Sequence, residues 1–366
     1  MAKRTEPKID QVAQLKQDLK NGTFAPLYFF HGEERFLQEH YMALLKKKAI
    51  SGPMEEFNFR RLTAETMSTE ALRDAVEAMP MMADMTLVQV DDYNPYAQSE
   101  DTRQELIEIL SDIPDTCCLV FYYDTVKFSY GADRGQDEEQ EQGEKPKEAN
   151  KKLLKQCIEK YGTVVEFQKQ TGTALNDWIS RHFRQGGKLI APDLCQYLAF
   201  ITGGDMTTLQ SEIAKVMAYS RMETVTRQDI DAVVEPVLTA VVFDITDALA
   251  EGNYDKALLK LRDVLASQEE PIKVNAVVGS HFRKLLLTKS VMAAGKGNET
   301  LLPILNSKSD FYGNKLMQQA RRLSDEMCAN AVLLCYETDC KMKRSVDDSA
   351  RLLELLLLSL AQEARK

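Results

Sequence analysis

Short apolar runs recur along the first part of the chain, each bounded by polar or turn-forming residues. Four of them have the length and composition of buried strands: Leu27 to His31, Thr86 to Val90, Cys118 to Tyr123 and Val164 to Phe167. Between the first two, Ser68 to Glu77 has apolar residues at helical spacing and a serine suited to cap a helix. Strands that alternate with helices predict an α/β layer with a largely parallel sheet.

The pattern becomes entirely helical from about Gln168 onwards. Apolar stripes predict successive helices, and Thr226 with Asp229 predicts a capping box at the start of one of them. Pro236 ends this group, after which further helical stripes continue. We therefore predict three domains, namely an α/β domain over residues 1 to 168, a small helical domain over 169 to 237 and a helical bundle over 238 to 366.

Residues 131 to 150 interrupt the first domain with a largely acidic run. The run contains no aromatic residue and no aliphatic side chain larger than alanine. Because nothing in it can offset the entropy of ordering the chain, we expect a mobile acidic insertion. The favoured interpretation is a solvated loop to which no function is assigned.

Composition and charge narrow the class of protein. The formal charge of −10 argues against coating nucleic acid by bulk electrostatics, so contact with DNA should be local. Seven scattered cysteines form no CxxC pair and no zinc spacing, which is typical of reduced thiols in the cytoplasm. The start of the chain is polar and the apolar run Leu352 to Ala361 is far shorter than the roughly 20 residues of a membrane span, so we expect a cytoplasmic protein.

Residues 26 to 41 have the pattern of a strand, a tight turn and a helix, where a nucleotide-binding domain carries its phosphate loop. Such a loop needs a glycine-rich run, a lysine for the terminal phosphates and a hydroxyl on magnesium. Here Gly32 is followed by Glu33 and Glu34, whose carboxylates repel phosphate. The segment predicts a degenerate nucleotide site that binds no nucleotide.

Two further parts of an ATP site are also missing. Asp124 follows a strand, as a magnesium-binding aspartate would, but Thr125 stands in place of a second carboxylate. Thr207 lies where ATPases with an α/β domain followed by a helical domain have an arginine that senses the terminal phosphate. The four histidines share no spacing with a cysteine or a carboxylate pair, and no GxSxG or HExxH pattern occurs. We therefore expect no catalytic residue, no metal and no cofactor.

Four methionines crowd around a proline directly ahead of the second predicted strand, in Ala78-Met-Pro-Met-Met-Ala-Asp-Met85. Methionine fills irregular cores and also suits adaptable recognition surfaces. On the pattern alone, core packing is favoured because an apolar helix end before a strand is usually buried. The basic run Lys46 to Lys48 is interpreted as the charged face of a helix, with phosphate contact as the alternative.

The order of these features resembles the delta subunits of the bacterial DNA polymerase III clamp loader, degenerate members of the AAA+ superfamily. The resemblance extends over nearly the whole chain and depends on the order and spacing of short segments rather than on any single one. These segments are Leu27 to Glu34, Met79 to Met82 before Thr86 to Val90, Gly203 to Asp205, Phe243 with Asp244, Glu269 to Ile272, Phe282 with Arg283, Asp339 with Lys341, and Leu352 to Leu360.

The resemblance implies an AAA+-like domain, a helical lid and a C-terminal collar, in that order. It implies a non-catalytic subunit of a DNA-directed DNA polymerase complex that binds and opens the ring-shaped sliding clamp, the beta subunit. The chain would join the tau/gamma and delta-prime subunits through the collar, neighbouring subunits would hydrolyse ATP, and primer-template DNA would be bound within the complex. No membrane partner is implied.

In that family the clamp-binding element is a hydrophobic pair at a helix end before a strand, and it corresponds to Met81 and Met82 here. Pro80 precedes the pair, and Met85 is a further candidate for the contact. Family members often carry Leu or Phe at the pair, so this chain lacks the usual aromatic anchor.

Two alternatives remain open. The first is a divergent AAA+ ATPase with an unusual phosphate site around Gly32 and Asp124, which ATP binding by the isolated chain would favour. The second is a helical scaffold or adaptor protein of DNA metabolism, which would not associate with AAA+ subunits through its C-terminal domain.

Overall fold

A computed structural model describes residues 11–50, 52, 54–126, 128, 145–344 and 348–365. The chain divides into two compact units, Met1–Lys169 and Gln170–Lys366. The first unit is α/β and the second is helical, which confirms the predicted fold class. The division of the second unit into a lid and a collar stays a prediction.

The first unit is built on a five-stranded sheet in the order β2-β3-β4-β1-β5, in which every described pair is parallel. Its strands are β1 (Leu27–Gly32), β2 (Phe59–Leu62), β3 (Thr86–Asp91), β4 (Cys117–Tyr122) and β5 (Thr163–Phe167). Its helices are α1 (Gln11–Asn21), α2 (Arg35–Ala49), α3 (Glu55–Asn58), α4 (Thr69–Val76), α5 (Glu100–Ser111) and α6 (Lys145–Tyr161), with a 3₁₀ turn at Pro95–Ala97.

All four predicted strands are present, whereas β2 was not predicted. Its sequence, Phe59-Arg-Arg-Leu62, has no continuous apolar run, because β2 is an edge strand whose two arginines are exposed. Charged side chains are a common way to keep an edge strand from pairing with another chain. The strand is recognisable only through its pairing with β3, in the register Phe59↔Leu87.

The central strands are buried on both faces. Leu27 and Phe29 of β1 belong to the core under α4, α5 and α6, whereas Tyr28 and Phe30 belong to the core under α1 and α2. Burial of alternate side chains on opposite faces is expected for a parallel sheet with helices on both sides.

The predicted acidic insertion is shorter than residues 131 to 150. Residues 131 to 144 lie outside the described part of the chain, and residues 145 to 150 form the first turns of α6. Asn150 of this helix donates a hydrogen bond to the carboxylate of Glu100 on α5 over 2.9 Å. The helix begins before the predicted end of the insertion at residue 150. Its later turns bury Leu154 and Ile158 in the core, which stabilises the polar turns before them.

The second unit consists of helices. They are α7 (Gly172–Gln185), α8 (Pro192–Ile201), α9 (Met206–Tyr219), α10 (Arg227–Val233), α11 (Leu238–Ala250), α12 (Tyr254–Ala266), α13 (Pro271–Ala293), α14 (Asn298–Ile304), α15 (Asp310–Arg322), α16 (Asp325–Arg344) and α17 (Ser349–Ala364). The predicted capping box of Thr226 and Asp229 is confirmed. Within the described ranges, no helix combines the length and the apolar character that a bilayer crossing requires.

Candidate functional site

The turn between β1 and α2 is closed against β5. Gly32 has a φ of +137°, and a Cβ atom at this position would collide with the carbonyl group of Phe167. The backbone N–H of Glu34, which starts α2, donates to the same carbonyl oxygen over 3.0 Å. Glu33 is exposed and Glu34 is buried. One of the amides that a phosphate loop would direct at its ligand is therefore already used within the sheet.

Asp124 follows β4, as predicted, and is engaged by a residue that the sequence interpretation missed. The Nε atom of Arg35 lies 2.8 Å from a carboxylate oxygen of Asp124, and its guanidinium also donates to the backbone oxygen of Asp124. Arg35 is the first residue of α2, where a cation is unfavourable to the helix dipole, and this was the one available signal. The carboxylate faces an arginine at the place where a nucleotide site would hold magnesium.

Gln38, one turn further along α2, links this helix to the ends of two strands. Its buried side-chain amide donates to the backbone oxygens of Phe30 and Tyr123, over 3.2 and 2.7 Å. These carbonyls belong to the carboxyl ends of β1 and β4, the edge where ligands bind in open α/β sheets. Gln38 thus holds α2 down onto that edge.

Asp92 organises the neighbouring turn after β3. Its carboxylate accepts hydrogen bonds from the backbone N–H groups of Asp124, Thr125 and Val126 and from the hydroxyl of Thr125. Desolvation opposes ionisation of Asp92, but these hydrogen bonds outweigh it and lower its pKa. The carboxylate is therefore saturated by protein donors, and no group of three or more potential metal ligands occurs among the described residues.

Thr207 lies in the second unit, in the first turn of α9. Asp205 caps this helix by accepting a hydrogen bond from the N–H of Thr208, which leaves Thr207 exposed with an uncharged side chain. The geometry of this turn is that of an ordinary capped helix. Nothing in it substitutes for the cation that a phosphate sensor would supply.

The methionine segment lies between α4 and β3 and is not helical. Helix α4 ends at Val76, and Pro80 disfavours helical geometry at the residue before it. Met79, Met81 and Met82 are 88%, 51% and 80% exposed, so core packing, which the pattern alone favoured, is wrong for them. It is right in part for Met85, which is half-buried against the core under α1 and α2.

The backbone of this segment is held by Asn58, a second residue that the sequence interpretation missed. Asn58 is only 1% exposed. Its side-chain oxygen accepts the N–H of Met81 over 2.7 Å, and its amide donates to the backbone oxygens of Met81 and Met54 over 2.9 and 3.0 Å. Met82 follows with a φ of +52°, a left-handed conformation that is costly for a side chain of this kind. The methionines are thus displayed on a fixed turn.

Comparison with known proteins agrees with the resemblance drawn from the sequence. A family model for "DNA polymerase III, delta subunit" matches residues 28–130, and a model for the "DNA polymerase III delta subunit, C-terminal domain" matches residues 239–360. DNA polymerase III subunit delta of Bacillus subtilis is 25% identical over 363 residues, which cover 96% of this chain and 97% of that protein. A probable DNA polymerase III subunit delta of Aquifex aeolicus is 20% identical over 341 residues, which cover 91% and 90%.

The fold is also found in a solved structure, that of the Bacillus subtilis DNA clamp loader delta protein YqeN. The two structures match with a TM-score of 0.60 at 22% identity, over 96% of this chain and 99% of that one. The segments matched by the two family models include the methionine turn of the first unit and most of the last seven helices. The two models together account for well over half of the sequence, and the chain belongs to the family of DNA polymerase III delta subunits.

Proposed function

We propose that this chain is the clamp-binding subunit of a bacterial clamp loader and that it opens the sliding clamp without hydrolysing ATP. The observation that carries the proposal is the methionine turn. Met81 and Met82 are exposed, yet their backbone is fixed by a buried asparagine. Large apolar side chains exposed on a preorganised backbone are typical of surfaces that bind another protein, because less backbone entropy is lost on binding.

The degenerate nucleotide site supports the absence of ATP hydrolysis. Arg35 neutralises Asp124, the amide of Glu34 is bonded to β5, and Glu33 places a negative charge at the helix start. Each of these features opposes the binding of a magnesium–nucleotide complex. ATP would then be hydrolysed by neighbouring subunits of the loader, and this chain would need no cofactor.

Opening of the clamp follows from differential affinity. A ring that opens rarely by itself is trapped open by a subunit that binds the open form more tightly. To reverse a ratio of one open ring in a hundred, the open form must bind about 10⁴-fold more tightly than the closed form. The contacts of Met81 and Met82 contribute to this difference to the extent that they fit the open ring better than the closed one.

Association with the other loader subunits is assigned to the collar, α11 to α17. Among the described residues of these helices, seven large apolar side chains are exposed: Leu259, Ile272, Ile304, Leu333, Tyr336, Leu355 and Leu358. Exposed apolar groups in such number favour further protein contacts. Within the assembled loader the chain would meet primer-template DNA, and it would work in the cytoplasm.

Calorimetric titration of the clamp from the same organism, without ATP, tests the proposal. Truncation of a well-packed anchor typically costs about 2 kcal/mol or more, so Met81→Ala/Met82→Ala should bind the clamp at least thirtyfold more weakly. Met222→Ala is a matched control, because Met222 is an exposed methionine of the second unit. Tight binding by the double variant would move the contact elsewhere, and absence of binding by the native chain would refute the proposed function.

A separate titration with ATP and magnesium tests the nucleotide site. We expect no heat of binding from the isolated chain, because the turn after β1 lacks the lysine of a phosphate loop and is closed against β5. Measurable ATP affinity that is lost in Asp124→Ala would contradict this and would favour the divergent ATPase.

A further inference from the structure

An exposed phenylalanine lies beside the methionine turn, on a different element of the first unit. Phe57, in α3, is 63% exposed. Its neighbour Asn58 is the residue that hydrogen-bonds both backbone groups of Met81. Phe57 is therefore one residue away from the contact that fixes the turn, although 23 positions separate Asn58 from Met81 in the sequence.

The sheet explains why these two segments meet. Strands β2 and β3 are parallel neighbours, with Phe59 opposite Leu87. The segment that enters β2 and the segment that enters β3 therefore reach the same edge of the sheet side by side. One brings Phe57 and the other brings Met79, Met81 and Met82, and we call these four side chains the corner surface.

The conformation of α3 leaves Phe57 exposed, whereas the two residues that follow it are buried or half-buried. The N–H groups of Phe57 and Asn58 both donate to the backbone oxygen of Met54, over 3.1 and 3.3 Å. Asn58 is buried, and Phe59 is half-buried beneath the ammonium group of Lys46, 4.1 Å from its ring centroid. Lys46 also pairs with Glu55 over 3.3 Å, so α3 is tied to α2 on one side and to the methionine turn on the other.

The geometry points to Phe57 as the aromatic anchor of the clamp-binding element, acting with Met81 and Met82 in one apolar pocket region of the sliding clamp. This inference rests on the proposed function. Phe57 and the methionine pair are connected through one buried residue, because Asn58 directly follows Phe57 and hydrogen-bonds the backbone of Met81. Aromatic residues are enriched among the side chains that dominate binding energy, and a rigid backbone limits the entropy lost on docking. The chain thereby recovers an aromatic group that its methionine pair lacks.

The test is the calorimetric titration of the clamp with the full chain and five variants, one of which is Met81→Ala/Met82→Ala. Phe57→Ala should weaken binding at least tenfold, Phe57→Leu should weaken it less, and Tyr219→Ala, an exposed aromatic of the second unit, should leave affinity within about twofold of the native value. In Phe57→Ala/Met81→Ala/Met82→Ala the losses should differ from the sum of the separate effects, because residues that share a pocket are coupled. Unchanged thermal unfolding of Phe57→Ala shows that its loss of binding is not a loss of fold.

The possible results separate the two proposals. If Phe57→Ala binds as the native chain does while Met81→Ala/Met82→Ala does not, the role of Phe57 is wrong and the proposed function stands. If the native chain does not bind the clamp, both are wrong. Sedimentation at rising concentration tests the other occupant, a second copy of this chain. A native dimer that Phe57→Ala converts to a monomer would overturn the assignment to the clamp.

Discussion

The role of Asn58 gives the sharpest test of how this chain displays its methionines. Asn58→Ala removes two hydrogen bonds to the backbone of Met81 and one to that of Met54, and leaves every apolar side chain of the corner surface in place. Any loss of clamp binding would then reflect the conformation of the turn. We expect a clear loss of clamp affinity. Because Asn58 is buried and cannot itself touch a partner, a lost direct contact cannot account for it.

The magnitude follows from the three bonds. A hydrogen bond in a protein contributes about 0.5–1.5 kcal/mol net, and water can replace the lost partners at an exposed turn. Loss of the three bonds should therefore destabilise the native conformation of the turn by roughly 2 kcal/mol. If that conformation must be restored on binding, affinity falls by about thirtyfold, since 1.4 kcal/mol corresponds to a factor of ten. Asn58→Asp should not restore binding, because its buried carboxylate still accepts the N–H of Met81 but faces the two carbonyl oxygens without a proton to donate.

The assay is again calorimetric titration of the clamp, with the unfolding free energy measured in parallel. Asn275→Ala is the matched control, because Asn275 is a buried asparagine of the second unit that donates to the backbone oxygen of Cys335. It should lower stability and leave clamp affinity unchanged. Native affinity in Asn58→Ala, with native stability, would refute the claim that this side chain preorganises the turn.

Two further outcomes follow from the same structure. Met82→Gly should lower clamp affinity yet keep the unfolding free energy within about 1 kcal/mol of the native value. Glycine adopts the φ of +52° without strain, and this relief offsets the larger conformational entropy of glycine in the unfolded chain. A large loss of stability, measured by urea denaturation, would argue against strain at Met82. Burial lowers the pKa of His281 to about 4, and the hydrogen bond to Gln319 opposes this with a smaller effect. Between pH 6.5 and pH 4 the unfolded chain therefore binds a proton at His281 that the folded chain does not bind. Stability should therefore fall by about 3 kcal/mol as the pH falls through this window, and His281→Asn should flatten the dependence; parallel curves for the two proteins would contradict this.

The sequence determined the elements that depend on local patterning. Buried strands such as β1 and β4 are continuous apolar runs, and the capping box at Thr226 needs only residues three positions apart. The missing parts of an ATP site were also visible, because a phosphate loop is defined by consecutive residues. The order of motifs was sufficient to identify the family, since each motif contributes independently of the contacts it makes.

The tertiary structure decided which of these residues work together. Pairing of Arg35 with Asp124 joins positions that are 89 residues apart, so the sequence around Arg35 does not reveal its partner. The backbone of Met81 is held by Asn58, which lies 23 positions earlier in the chain. Asn58 directly precedes the edge strand β2, which a search for apolar runs misses because it contains two arginines. The position of Phe57 beside them follows from the parallel pairing of β2 with β3. Sequence periodicity records how a segment meets its immediate environment, whereas a binding surface is assembled by long-range contacts between segments, and these form only when the chain folds.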